Sequence, residues 1–221
     1  MSGRPPPAPP VTTALLALGA FACGKTEVPA ADAPPAAAVA AAAPAPVDPS
    51  CKEGSQRQHP DGKLKECLLA ADWVYGPYTC RMNWSVVLYP DGKLKECKIA
   101  GTATFDGLVV KESLALYEDG KLKRGVVAAA KTFGDVEARE GDWVTLYPGG
   151  ALNRLELFGG PRTIQGYPCK GSENYFHENG KLKKCTLGEV FKQGEKELPA
   201  GTLLCFDESG QPKEPCTLMT P

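Results

Sequence analysis

Nine cysteines and two histidines are the side chains of this chain with the most chemistry open to them, and their spacing narrows it. Zinc needs ligands paired a few residues apart, yet no C-x-x-C or related spacing occurs and two histidines are too few. So many cysteines suit an oxidising compartment better than a reducing cytosol, so the chemistry expected is disulfide formation. The odd count leaves one cysteine over. A catalytic histidine needs a nucleophile or carboxylate partner at a cleft. His59 and His177 have none near them in sequence, and each stands three residues before a recurring glycine. They are expected to flank turns; no catalytic residue, metal or other cofactor is expected. A net charge of −1 with no local concentration of Lys and Arg excludes a broadly basic nucleic-acid binder.

The cysteine left over is Cys23. Residues 11–22 form a short apolar run preceded by Arg4, too short for a transmembrane helix and suited to the core of a signal peptide. Small residues at Ala20 and Ala22 precede Cys23, as a signal peptidase requires. The stretch from Leu18 to Cys23 resembles a bacterial lipobox, although Ala20 stands where Leu is usual and Phe21 is bulky. That resemblance implies cleavage before Cys23 and its diacylation, hence attachment to a membrane through a lipid anchor. The alternative is a signal peptide or tethering helix with Cys23 unmodified. Gly24 rather than Asp after the cysteine implies sorting to the outer membrane of a bacterial envelope. Gly19 to Thr26 also spells G-x-x-x-x-G-K-[ST], but a phosphate loop works only between a strand and a helix N-terminus. Here Glu27-Val28-Pro29 and an Ala/Pro tract follow, so no nucleotide site is expected. From Pro29 to Pro49 the composition favours polyproline II and cannot pack a core. Three regions result: signal peptide 1–22, lipidated cysteine and tether 23–50, and a folded domain 51–221.

Inside that domain a glycine recurs at Gly62, Gly92, Gly120, Gly150, Gly180 and Gly210, in steps of thirty residues but for one of twenty-eight. The surroundings repeat too, as in His59-Pro-Asp-Gly-Lys-Leu-Lys, Tyr89-Pro-Asp-Gly-Lys-Leu-Lys and Tyr117-Glu-Asp-Gly-Lys-Leu-Lys. Pro90 presets φ for the first turn position, Asp91 suits the second, and Gly92 accepts positive φ. A type I turn with a G1 bulge follows. Strand-like runs such as Trp84–Tyr89 precede the turns, and Leu stands two places after the first five glycines. The next inward positions, Cys97 and Ile99 in the second unit, are out of phase with Leu94, which calls for a bulge in the second strand. Between hairpins a weaker aromatic-then-glycine signal, as in Trp73-Val-Tyr-Gly, suggests a further short strand. The fold expected is all-β, an elongated antiparallel sheet of six tandem hairpin repeats of about thirty residues, stapled by disulfides.

These Y-x-[DN]-G-K-L-K hairpins resemble the bacterial variant of the MORN repeat found in YwqK-type antitoxin-like proteins, over six units from His59 to Lys213. The units here are longer than that family's and carry cysteines. The resemblance implies a non-catalytic binding or scaffolding sheet.

The repeat frame also sorts the remaining cysteines. Cys67, Cys97 and Cys185 lie five residues after their glycines; Cys51 and Cys169 lie eleven before, and Cys80 twelve before. The units of Gly120 and Gly150 hold neither, with Gly125 and Leu155 at the later position and Val109 and Arg139 at the earlier. Partners must be present or absent together, which selects Cys51–Cys67, Cys80–Cys97 and Cys169–Cys185, and leaves Cys205–Cys216. The competing scheme links neighbouring units, such as Cys67 to Cys80. The lysine pairs after the turns (Lys63 and Lys65, Lys93 and Lys95, Lys121 and Lys123, Lys181 and Lys183) would line one edge. They form either a solvated face or a stripe for anionic headgroups or polymers. Trp73, Trp84 and Trp143 suit a core better than a sugar-stacking platform. The function expected is a cell-envelope lipoprotein that binds an unidentified protein or envelope polymer. The alternative is an antitoxin-like or immunity-type protein that neutralises a toxin partner.

Overall fold

The computed structural model describes residues 48–213 and Cys216, and over them the chain contains strands and turns without a helix. Cys23, the signal-peptide run and all but the last three residues of the tether lie outside the described residues.

The first main hairpin pairs β1 (Arg57–Gln58) with β2 (Leu64–Leu68), and β3 (Trp73–Tyr75) with β4 (Tyr78–Cys80) forms a small hairpin after it. The second is β5 (Ser85–Leu88) with β6 (Leu94–Phe105). The third is β7 (Leu108–Leu116) with β8 (Leu122–Val127), followed by the small hairpin β9 (Lys131–Phe133) and β10 (Val136–Ala138). The fourth is β11 (Trp143–Leu146) with β12 (Leu152–Glu156). β13 (Arg162–Ile164) pairs with the start of β14 (Tyr167–Phe176), whose other end makes the fifth hairpin with β15 (Leu182–Leu187). After the small hairpin β16 (Phe191–Gln193) and β17 (Lys196–Leu198), β18 (Leu203–Cys205) opens the sixth, closed by a bridge between Phe206 and Pro212. The main hairpins join edge to edge in chain order, β1-β2-β5-β6-β7-β8-β11-β12-β14-β15-β18, and every pairing is antiparallel.

Each main turn has the expected chemistry. At the second, Gly92 N–H donates to Tyr89 O at 2.9 Å, Gly92 sits at φ 85°, and Tyr89 N–H donates to Lys93 O at 2.8 Å. A non-glycine residue would be strained there. The register then slips between Val87 and Leu88, which face Glu96 and Leu94, so Lys95 is the extra residue of a bulge. That slip brings Leu94, Cys97 and Ile99 to one face, and all three are buried.

The inner face of the main sheet shares one core with the small hairpins. Val86, Leu94, Leu114, Leu155 and Leu182 from the former cluster with Trp73, Val136, Ala138 and Ile164 from the latter. Each fully buried leucine contributes roughly 1.5–3 kcal/mol. A second device ties unit to unit. The residue three before each turn glycine donates from its ring to a carbonyl of the next unit: Tyr89 Oη to Leu116 O (2.8 Å), Tyr117 Oη to Leu146 O (2.7 Å) and Tyr147 Oη to Phe176 O (2.9 Å). His59 and His177 hold the same place, with Nε2 3.1 Å from Leu88 O and Phe206 O, so in each the Nε2–H tautomer is the one that donates. In the last unit Asp207 occupies this position. Its carboxylate instead accepts from Ser209 and Gln211 N–H groups of its own turn.

The bridges are Cys51–Cys67, Cys80–Cys97, Cys169–Cys185 and Cys205–Cys216, with Cα separations of 5.7, 5.8, 5.7 and 5.3 Å. The first three are the pairs selected by joint presence within a unit and the fourth is the pair left over, and among the described residues no bridge links neighbouring units. One detail of that frame needs correction. Cys80 pairs with Ile99 and Cys169 with Leu187, each two residues beyond its bridge partner. In the third unit the residue paired with Val127 is Val110, so Val110 rather than Val109 takes the cysteine's place opposite Gly125. Counting four residues from the tip of each small hairpin likewise puts Ala138, not Arg139, in line with Cys80. The linear count failed because the units differ in length at the bend between small and main strands. There the third unit is short, and β7 runs on through Glu112 at φ 60°.

Candidate binding face on the outer sheet

The sheet's outer face carries the side chains that alternate with the core. Trp84 ends a four-residue turn, Arg81 to Trp84, in which Asn83 takes φ 65° and the Trp84 carbonyl accepts from Leu69 N–H at 3.0 Å. The sister turns make the same bond through Asp142 and Thr202. The backbone there does not require tryptophan, and Trp84 is 51% exposed. Trp143 begins β11 beside Val126, while its neighbour Val144 points into the core beside Gly125. Trp143 is therefore on the outer face, half-buried. Of the three tryptophans, only Trp73 is a core residue; the expectation that Trp84 and Trp143 belong there is corrected by strand alternation.

Cations fill the spaces between these rings. Lys98 Nζ stands 5.7 Å from the Trp84 ring centre and 5.4 Å from that of Trp143. The Arg124 guanidinium lies 4.4 Å from the Trp143 ring and 2.9 Å from Glu156, which also meets Arg154 at 3.4 Å. Arg154 and Lys184 both lie 5.4 Å from Tyr175, and Lys184 reaches Glu173 at 3.4 Å. The result is a strip of alternating rings and charges across units two to five. Each cation–ring contact contributes about 0.5–1 kcal/mol at such exposure.

Five of the eight lysines after the turns are engaged by neighbouring side chains. Lys63, Lys93 and Lys121 each pair with the aspartate of their own turn, at 3.3, 2.8 and 3.0 Å. The side-chain bond from Lys93 holds the Asp91 carboxyl below its usual range, and the backbone N–H groups of Lys63 and Lys121 do the same for Asp61 and Asp119. Lys95 and Lys123 lie over the Tyr89 and Tyr117 rings. The fourth turn has Gly149 and Ala151 where the first three have aspartate and lysine, and a depression opens on either side of it. Sequence reasoning missed the buried ion pair of Asp142 with Arg162. The same carboxylate also accepts from the N–H groups of Arg139 and Phe158, both at 2.8 Å, so it pins the loop after β12 to the turn before β11. Nothing around Asp142 in the sequence signals this, because its partners lie up to twenty residues away.

Among the described residues no group of three or more His, Cys, Asp and Glu side chains gathers within reach of one ion. No protein-family model matches the chain, and no curated protein matches it significantly.

Proposed function

We propose that this chain is an exported, non-catalytic envelope lipoprotein of the MORN-variant kind, anchored through acylated Cys23, that binds an envelope component with the outer face of its sheet. The four disulfides suit an oxidising, extracytoplasmic compartment and support export. The observation that carries the binding role is the strip from Trp84 to Lys184. Its rings and charges lie outside the core, so folding does not account for an exposed indole at its head. A headgroup stripe along the turns has less support, since Lys63, Lys93 and Lys121 have their charge matched by neighbouring aspartates.

Two measurements test this reading. Mass spectrometry of the Cys23 peptide from membrane-purified protein should show acyl chains; an unmodified thiol there would remove the anchor. The oxidised chain, immobilised and exposed to envelope extract, should retain envelope material that a Trp84→Ala/Trp143→Ala variant does not. Retention of nothing would overturn the binding role, and one tight stoichiometric protein partner would favour the antitoxin-like alternative.

A further inference from the structure

Beside Trp84 the outer face has a depression of about 300 Å³, walled by that indole together with Glu66, Ser85, Glu96, Lys98 and Ser113. Two of its polar groups are already engaged: Ser85 Oγ donates to Glu66 at 2.8 Å, and Arg57 meets Glu66 at 3.6 Å. Two are not. The Glu96 carboxylate has no hydrogen bond or ion pair among the described residues, and the Lys98 ammonium meets only the two indole rings. Both stand on β6, one residue either side of the buried Cys97, so they share the outer face about 7 Å apart along the strand.

A carboxylate only accepts hydrogen bonds and an ammonium only donates them. A ligand group that satisfies both must carry a donor and an acceptor a few ångströms apart, with an apolar surface to lie on the indole. An acetamido sugar has this set: its amide N–H for Glu96, its amide carbonyl for Lys98, and its methyl group and ring C–H face for Trp84. Charge narrows the choice further. Glu66 and Glu96 beside a single lysine disfavour an acidic polymer or a phosphate headgroup, and the balance suits a neutral group. The strip continues through Trp143 to Tyr175, two strands further on and so about 10 Å away, which gives an extended chain a second and third ring to follow.

We propose that Trp84, Glu96 and Lys98 form a subsite for an N-acetylated amino sugar, and that the occupant of the face is a glycan strand of the cell wall. This rests on the binding role proposed above and names its ligand.

The test uses the oxidised full chain with chitotetraose as probe, read by titration calorimetry, and with purified cell-wall sacculi, read by co-sedimentation. Chitotetraose should bind, and cellotetraose, which has hydroxyls in place of the acetamido groups, should bind at least about tenfold more weakly, because a single hydroxyl oxygen cannot span Glu96 and Lys98 as the amide N–H and carbonyl do and so leaves one of them unpaired. Trp84→Ala and, separately, Glu96→Gln and Lys98→Met should each weaken chitotetraose binding about tenfold or more and release the chain from sacculi. All three changes lie on the outer face, and intact disulfides with an unchanged β spectrum show that each variant is folded. No heat with chitotetraose, equal affinity for cellotetraose, equal affinity for an alanine tetrapeptide, or full binding by folded Trp84→Ala would each overturn the proposal. If these fail while envelope material is still retained through Trp143, the ligand assignment falls and the binding role stands.

Discussion

At the scale of single residues, two kinds of side chain hold the repeat together, and they respond to opposite ends of the pH range. The Tyr117 hydroxyl donates to Leu146 O at 2.7 Å in a half-buried setting. Tyr117→Phe should therefore cost about 0.5–1.5 kcal/mol, seen as a lower urea midpoint, whereas Tyr117→His should recover part of it, because His59 and His177 already fill this position. An unchanged midpoint in the phenylalanine variant would show that the ladder contributes nothing. Burial raises the Tyr89, Tyr117 and Tyr147 phenols above 10.0, so folding favours their protonated form. That contribution is complete below the unfolded value and is lost as pH rises through the folded ones. The turn aspartates work the other way. Asp91, bonded by the Lys93 side chain and then its N–H, and Asp119, bonded by the Lys121 N–H and then its side chain, titrate below 3.8. Their contribution is present above the unfolded value and lost as pH falls through the folded values. In Asp91→Asn/Asp119→Asn the turns should persist, since Asn179 accepts from Lys181 N–H at 3.0 Å in the fifth unit. The drop in urea midpoint between pH 5 and pH 2 should be smaller than in the parent, and an equal drop would assign acid sensitivity elsewhere.

At the scale of the element, the two units without a bridge show what a disulfide replaces. Gly125 and Val110 stand where two cysteines stand in three other units, and a Cβ on Gly125 would lie 2.8 Å from Val110 Cγ1. Valine fills the space of both sulfurs, and only glycine leaves room for it. Ala138 and Leu155 divide the same space the other way round, both fully buried. Val110→Cys/Gly125→Cys should accordingly form a fifth bridge, visible as a linked peptide in non-reducing mapping and worth about 2–4 kcal/mol. Two free thiols at these positions would mean that the third unit's strand spacing differs from its sisters'. The hairpins and bridges were legible in the sequence because turn glycines and paired cysteines are local or jointly repeated signals. The small hairpins were half legible, since Asp106 and Gln165 take the positive φ that Gly76 and Gly134 take elsewhere. The binding face was not legible. Trp84 and Trp143 count as core residues until the register shows which way each strand alternates, and Lys63, Lys93 and Lys121 look free until their aspartates are placed beside them.

At the scale of the whole molecule, the bridges are distributed by position. They occur in units one, two, five and six, and are missing from the two central units. In a linear array each unit is stabilised by its neighbours, and the units at either end have fewer of them. The central units have β7 paired along β6 and β8, and β11 paired along β8 and β12, so every main strand there is hydrogen-bonded on both sides. At the ends, β1 has a single partner and β18 pairs with β15 and a short final arm that includes Pro212. The first and last bridges, Cys51–Cys67 and Cys205–Cys216, stand where neighbour pairing runs out, so reduction should unravel the array from its ends rather than all at once. Hydrogen exchange followed by mass spectrometry after mild reduction should show early loss of protection in β1, β2 and β18, with β7, β8 and β11 the last to exchange. Simultaneous loss across all units would mean that the sheet is one cooperative block held by its bridges. Survival of the end strands beyond the centre would mean that neighbour pairing does not set the order of stability in this molecule.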